Sequence, residues 1–492
     1  MNADESSITV MALPKNKTKI VATIGPSSET PEMLERLIRA GLNVARLNFS
    51  HGDLASHAQR IKRIRSAEKT VGRRVAIMAD LPGPKMRIGE IEPEPIHLRT
   101  GESFTLTTAE VVGTQQRVSV SFESLPRVIK PGDRLFLNDG LVELTAEHVS
   151  GSEVQCKVTV GGELRSRKGV NLPGINLGIS AFTSHDRACL EFALQQGVDA
   201  VSQSFVQTAA DVEAVRAAAE AAGKRPFLIA KIERLDAITH FEEILTAADG
   251  VMVARGDLGV EVPIEEMAIL QKRLIAKASL SGKPVITATQ MLESMVASRL
   301  PTRAETTDVA NAILDGTDAV MLSAESAVGK YPEEAVAMLA KIAAYTESQQ
   351  LPTRRAELRA RLGQDPPHTA ADAIASVVET ALATVPCAAV FVPTRTGTTA
   401  RMISRLNPSV WIIALSGDPA VCQGLAFSYG VEAVQLAEDP KNWRAFAKIW
   451  LHEHEISGAN ALLVAGPSTR NPDANYRLEF LKVGEFAASP AS

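Results

Sequence analysis

Arg46, Asn48, Ser50 and His51 crowd one short stretch, "ARLNFSH". Asp80 closes another apolar run, Lys231 and Glu233 a third, Arg255 and Asp257 a fourth. Thr289 and Gln290 follow a fifth run, and Ser323 and Glu325 a sixth. Taken singly, each reads as a polar group meeting water at the end of a buried segment. Taken together they sort by chemistry. Glu233 and Asp257 are two carboxylates, which suits Mg²⁺: it takes one or two protein carboxylates and keeps its other positions for water and substrate oxygens. Arg46, Lys231 and Arg87 bring charge of the opposite sign. A carboxylate-held metal beside converging cations is equipment for binding and transferring a phosphoryl group. Thr289 has a proton to give. No Ser-His-Asp pattern, P-loop or HExxH is present. "HEHE" at His452 to Glu455 sets two histidines two apart, off any shared helix face, and reads as a solvated helix surface.

The runs that bear these groups are β-branched and continuously apolar, as strands buried on both faces are. They are "TKIVATIG", "NVARLNFS", "RVAIMADL", "DAVSQSFV", "FLIAKIE", "GVMVARGDLG", "PVITATQM" and "AVMLSAES". Amphipathic stretches alternate with them. "PEMLERLIRAG" has a capping Thr30, Pro31 at its start and Gly41 at its end. Such units also build doubly wound sheets, but their number favours a (β/α)8 TIM barrel, whose catalytic groups project from the C-terminal strand ends. Between the third and fourth runs the pattern changes to alternating polar and apolar residues with Gly-rich turns, which implies an inserted antiparallel all-β domain. Insertions at that end of a barrel often act as lids. After the eighth run the polar stretch Ser348 to His368 reads as linker plus helix. A C-terminal α/β domain with a largely parallel sheet follows. The expected division is 1–87 and 175–348 for the barrel, with the N-terminal segment in its first part, 88–174 for the insertion and 349–492 for the last domain.

Composition bounds the reading. The 492 residues carry a net charge of -5, with 45% hydrophobic and 22% charged residues. That is ordinary for a globular protein and argues against a nucleic-acid coat. The four cysteines, Cys156, Cys189, Cys387 and Cys422, are far apart in sequence and read as reduced thiols. No apolar run is long enough for a membrane span, and the first residues do not form a signal peptide. The expected location is cytoplasmic, with neither nucleic acid nor membrane as a partner.

"TKIVATIGPSS", "GLNVARLNFSHGD", "KGVNLPG", "AKIE", "GVMVARGDLGVE", "ITATQMLESM" and "PTRAETTDVANAILDGTDAVMLSAESAVGKYP" together resemble pyruvate kinases of the bacterial type. The resemblance covers roughly Thr18 to Thr346 and thins beyond it; several long motifs in one order are far more specific than a short pattern. It implies phosphoryl transfer from phosphoenolpyruvate to ADP, giving ATP and, after protonation of an enolate, pyruvate, the last step of glycolysis. It implies Mg²⁺ or Mn²⁺ at Glu233 and Asp257, with Gly256, Asp257 and Thr289 at the substrate. Arg46 would hold the phosphoryl group and Lys231 would stabilise it in flight. Thr289, in a relay with Ser323, would face the carbon that takes the proton. Asn48, His51, Arg87 and Lys168 match the nucleotide side. Asn48, Ser50, Asp80 and the Leu81 carbonyl match a monovalent-cation site. A homotetramer is implied as well.

One motif departs from the commoner pattern. Many family members read Asp-Thr-Lys-Gly-Pro-Glu-Ile-Arg where this chain reads Asp80-Leu81-Pro82-Gly83-Pro84-Lys85-Met86-Arg87. Members with the glutamate generally need K⁺; those with lysine generally do not. An ammonium can supply covalently the charge that K⁺ supplies among oxygen ligands, so K⁺-independent catalysis is expected. The alternative is a Lys85 that points to water, with K⁺ still bound. In the last domain, "FVPTRTGTTAR" opens a helix with the loop Thr394, Arg395, Thr396, Gly397, Thr398 and Thr399. Its N–H groups and hydroxyls suit a phosphate, and the resemblance implies allosteric control there. The closing segment is unlike that of members activated by fructose 1,6-bisphosphate, so a sugar monophosphate or nucleotide monophosphate is expected. The competing readings are another Mg²⁺ barrel enzyme, such as an aldolase or lyase, and a non-catalytic scaffold.

Overall fold

The computed structural model describes residues 12–349, 369–466 and 475–484. The expected linker and helix at 350–368, and 467–474 of the closing segment, lie outside them. Eight parallel strands close into a barrel. They are Lys19–Thr23, Val44–Asn48, Ala76–Leu81, Ala200–Gln203, Phe227–Ile232, Gly250–Ala254, Val285–Ala288 and Ala319–Leu322. The helix Pro31–Ala40 shows how the sequence sets its own limits: Thr30 accepts from the Met33 N–H, Pro31 opens it, and Gly41 (φ 122°) ends it. Its Leu34, Leu37 and Ile38 pack into the layer between strands and helices.

Inside the barrel the two-residue period of each strand builds layers. Val21, Val44, Met78, Ala200, Ile229 and Met321 fill the lower part. Two residues further along the same strands come Thr23, Arg46, Asp80, Ser202, Lys231 and Ser323. An apolar floor therefore carries a polar layer at the C-terminal end. Phe427 of the last domain joins the floor, stacked on Phe227 with ring centroids 5.1 Å apart.

The inserted strands form a six-stranded sheet and a two-stranded one around their own core. The pairing is not wholly antiparallel: Ser103–Thr107 runs parallel to Arg117–Ser119. The connection between them is tied back at Gly113, which donates to the Glu90 carbonyl, so the chain re-enters in its original direction. The insertion touches the barrel top where Arg234 donates to the carbonyls of Leu172 and Ile175.

In the last domain four strands are parallel, in the order Val431–Gln435, Trp411–Ser416, Ala389–Pro393, Asn460–Ala465. The fifth, Arg477–Lys482, is antiparallel on the edge; the closing segment thus contains a strand the sequence reading did not find. Its face is mostly exposed, which hides the alternation. The "HEHE" helix ends at Glu453, and His454 stacks on Trp450, so only part of that motif is a solvated surface.

Candidate active site

The polar layer centres on Asp80. Its carboxylate is 1% exposed. Arg46 donates to Oδ2 through Nε (2.8 Å) and Nη2 (2.5 Å), and Ser202 donates to Oδ1 at 2.7 Å. The Lys231 ammonium lies 3.4 Å from Oδ1 and 2.8 Å from Glu233 Oε1, and donates to Ser204 Oγ at 2.7 Å. Arg46 also reaches Thr23 Oγ1 at 2.8 Å. Burial works against the Asp80 charge, yet Lys231 and Arg46 hold its carboxyl below the usual range. Burial alone would lower Lys231; Asp80 and Glu233 raise it instead. Lys231 therefore stays charged, and both cations are fixed in direction and nearly dry.

Glu233 is 2% exposed and accepts from the Phe205 N–H at 2.7 Å. Burial pushes its carboxyl up; Lys231 pulls it down and the charge of Asp257 adds to the rise. Asp257 sits in the first turn of the helix Arg255–Glu261 rather than on the strand, which ends at Ala254. The three carboxylates outweigh the two cations by one charge, and a divalent cation beside Glu233 and Asp257 reverses that sign. The donor set thus fits a hard cation with open positions for oxygen ligands, although among the described residues no group of three or more His, Cys, Asp or Glu forms a protein-only cage.

Beyond Gly256 lies Thr289. The Gly256 N–H donates to Thr289 Oγ1 at 2.8 Å, and this hydroxyl donates to the Ala288 carbonyl at 2.6 Å. Ser323 is half-buried; its N–H donates to Glu325, whose other oxygen accepts from Leu292.

The residues expected on the nucleotide side form a basic rim. Arg87 pairs with Gly169 across an isolated bridge, and the Ile88 N–H donates to the Lys168 carbonyl, so Arg87 and Lys168 lie on adjacent segments. His51 is exposed; burial, then Lys85, Arg87 and Arg46, lower its pKa. Such a rim favours a polyanion. Asn48 pairs with Asp80 across the strands, and its Oδ1 accepts from the Ser50 N–H. Lys85 does not stand against Asp80, whose oxygens are taken by Arg46, Lys231 and Ser202. The stiff Pro82-Gly83-Pro84 turn leaves it exposed, and its ammonium makes no hydrogen bond or ion pair among the described residues.

Thr23, Ser202, Ser204 and the clamp of Arg255 on Asp308 escaped the sequence reading of the site. The alternation Ser202-Gln203-Ser204 in an otherwise apolar run was the available signal. In the last domain, Thr394, Arg395, Thr396, Thr398 and Thr399 line a cavity of about 520 Å³, together with Arg405, Tyr476 and the barrel's Leu280 and Ser281. Gly397 (φ 78°) makes the turn at the loop's centre and donates to Thr394 Oγ1.

Known proteins resemble this chain closely. The family model described as "Pyruvate kinase, barrel domain" matches residues 15–336, and "Pyruvate kinase, alpha/beta domain" matches 372–473. A pyruvate kinase of Thermococcus litoralis is 51% identical over 422 residues, covering 86% of this chain and 89% of the relative. One from Geobacillus stearothermophilus is 46% identical over 421 residues, covering 85% and 71%. The crystal structure of a pyruvate kinase from Cryptosporidium parvum superimposes with a TM-score of 0.88 at 34% identity, covering 98% of each chain.

Proposed function

The chain belongs to the pyruvate kinase family, and from that premise we propose how its own residues perform the reaction. Phosphoenolpyruvate gives up its phosphoryl group to ADP; the bond from phosphorus to the enol oxygen breaks, a bond to the β-phosphate oxygen forms, and the enolate takes a proton at carbon to become pyruvate. The observation that carries the assignment is the pair of buried cations, Arg46 and Lys231, held on Asp80 beside Glu233.

Arg46 binds the phosphoryl oxygens of the substrate. Lys231 meets the charge spread over those oxygens in transfer, where a fixed ammonium costs no reorganisation. Glu233 and Asp257 hold Mg²⁺ or Mn²⁺, which supplies Lewis-acid neutralisation of phosphoryl and substrate oxygens when bound. The Gly256 backbone and Thr289 flank the substrate, and Thr289 with Ser323 serves the face on which the enolate carbon is protonated. Arg87, Lys168, His51 and Asn48 orient ADP, the inserted domain bringing Lys168 to it. Lys85, without a hydrogen bond or ion pair among the described residues and close enough to depress His51, adds at the rim the charge that K⁺ adds in other members at the site matched here by Asn48, Ser50, Asp80 and the Leu81 carbonyl.

The cavity at the Thr394–Thr399 loop takes a phosphorylated regulator, a sugar monophosphate or a nucleotide monophosphate. Its barrel wall at Leu280 and Ser281 supports a coupling of occupancy to the active domain. Calorimetric titration with glucose 6-phosphate and AMP tests it; loss of the binding heat in Thr398→Ala is expected. Exposed Ile264, Ile269 and Leu300 support self-association, proposed as a homotetramer and read by light scattering. Among the described residues no helix is long and apolar enough to cross a membrane. The charged substrates favour a cytoplasmic location.

The test of the catalytic reading is formation of ATP and pyruvate in equal amounts from phosphoenolpyruvate, ADP and Mg²⁺, abolished by chelation. ADP-independent consumption of phosphoenolpyruvate would instead favour a lyase.

A further inference from the structure

Two consecutive non-glycine residues at the top of the barrel, Thr289 (φ 68°) and Gln290 (φ 54°), are left-handed. For a β-branched threonine this is an outlier conformation, and such a backbone persists only where its surroundings over-determine it. A side chain that restrains it directly is Arg255. Its Nη2 donates to the Thr289 carbonyl at 2.7 Å and its Nε to the Ala288 carbonyl at 3.3 Å. Its Nη1 is anchored on Asp308, 2.7 Å from Oδ2, and on Gln271 Oε1 at 3.3 Å. The guanidinium fork thus joins the turn to two barrel helices, Met267–Leu280 and Arg303–Asp315.

The contact reaches the hydroxyl as well as the backbone. Ala288 O accepts from Thr289 Oγ1 at 2.6 Å and from Arg255 Nε. The carbonyl has two lone pairs, so the guanidinium and the hydroxyl share it, and Arg255 helps to fix the acceptor toward which the hydroxyl proton points. Meanwhile the Gly256 N–H, next to Arg255 in sequence, holds the oxygen from the other side. One side chain thus bears both on where Thr289 Oγ1 stands and on the carbonyl to which its proton is directed.

We propose that Arg255 is a positioning residue for proton transfer, acting through Thr289 by holding its left-handed turn and sharing the Ala288 carbonyl. The proposal rests on the reading of Thr289 as the group at the enolate's protonation face. A misplacement of about 1 Å costs on the order of 10²-fold in rate, so a residue that never touches substrate can set the rate here.

The experiment follows the methyl hydrogens of pyruvate by proton NMR in D₂O, with the enzyme, Mg²⁺ and inorganic phosphate. Each exchange breaks one C–H bond, releases the proton to the enzyme and returns a deuteron to the same carbon, with no phosphoryl transfer. Arg255→Met is expected to slow exchange by on the order of 10²-fold, with KM for phosphoenolpyruvate within about threefold of wild type. Arg255→Lys, which keeps one donor and the charge, should recover part of the loss. Asp308→Asn, a half-exposed partner, should show a smaller loss in the same direction. The double variant Arg255→Met/Thr289→Ala should be no slower than Thr289→Ala alone, because the first substitution acts through the second residue. Wild-type exchange in Arg255→Met with slow exchange in Thr289→Ala overturns the positioning role alone. Independent, multiplying losses in the double variant also overturn it. Wild-type exchange in Thr289→Ala overturns the protonation reading beneath it. Should Arg255→Met not fold, Arg255→Lys and Asp308→Asn are judged by the same comparison, and wild-type exchange in both overturns the proposal.

Discussion

Arg46 and Asp80 form a buried ion pair, 2.5 Å from Nη2 to Oδ2, and the same carboxylate has the Lys231 ammonium 3.4 Å away. Both cations are nearly buried: their side chains are 9% and 10% exposed. Asp80 thus orients the two groups assigned to the phosphoryl oxygens while leaving a site whose sign depends on the metal.

Asp80→Asn should therefore cost roughly 3–5 kcal/mol of stability at neutral pH, because it leaves two buried cations facing an amide. The sign with pH follows from the lowered carboxyl pKa. The stabilisation is present above the ordinary aspartate range and is lost as pH falls through the lower folded value. Urea unfolding of the two proteins along an acid series checks both parts: the gap between them should narrow as the wild type is acidified.

Lys19, at the other end of the barrel, gives the same sign in an alkaline window for a different reason: here the fold disfavours the charge. It is 3% exposed, donates to the Val431 carbonyl at 2.7 Å and lies 5.2 Å from the Trp411 ring, in the seam with the last domain. Burial, with Arg73 adding, outweighs Glu432, Glu347 and Asp318 and brings its pKa down from 10.5 to about 8. Between those values the unfolded chain binds the extra proton, so stability rises with pH. Relative to Lys19→Met, the wild type should gain up to about 3 kcal/mol between pH 8 and 10.5. Parallel unfolding curves at the two pH values measure it; an equal gap at both would contradict it.

Much of the architecture was legible because burial on both faces leaves an unbroken apolar run, and eight such runs in one chain have few folds open to them. Asp80, Lys231 and Glu233 were legible for a related reason: a charge that ends an apolar strand stands out. Ser202, Ser204 and Thr23 did not, since hydroxyls are common in strands and only the register Ser202 opposite Asp80 gives them meaning. The edge strand Arg477–Lys482 was hidden by its exposed face. Where Lys85 points was beyond reach for another reason: side-chain direction after a Pro-Gly-Pro turn is set by neighbours distant in sequence. Its placement away from Asp80 moves the K⁺ question from a direct contact to a charge at the rim.

That question has its own test. In tetramethylammonium buffer, wild-type turnover should be unchanged by added K⁺, and Lys85→Glu should become K⁺-dependent by roughly tenfold, an effect of a reversed charge at the rim that added salt should weaken. A wild-type enzyme that requires K⁺ would remove Lys85 from the account while leaving the rest of the site in place.

The most direct measurement is single-turnover ATP formation from phosphoenolpyruvate and ADP by Lys231→Met, with circular dichroism confirming the fold. A buried ammonium that stabilises the phosphoryl group in flight predicts a loss of roughly 10³–10⁵-fold, the range for a removed transition-state cation. Turnover within about tenfold of wild type, in a variant that is folded and binds phosphoenolpyruvate, would contradict the assignment of Lys231 and with it the central claim.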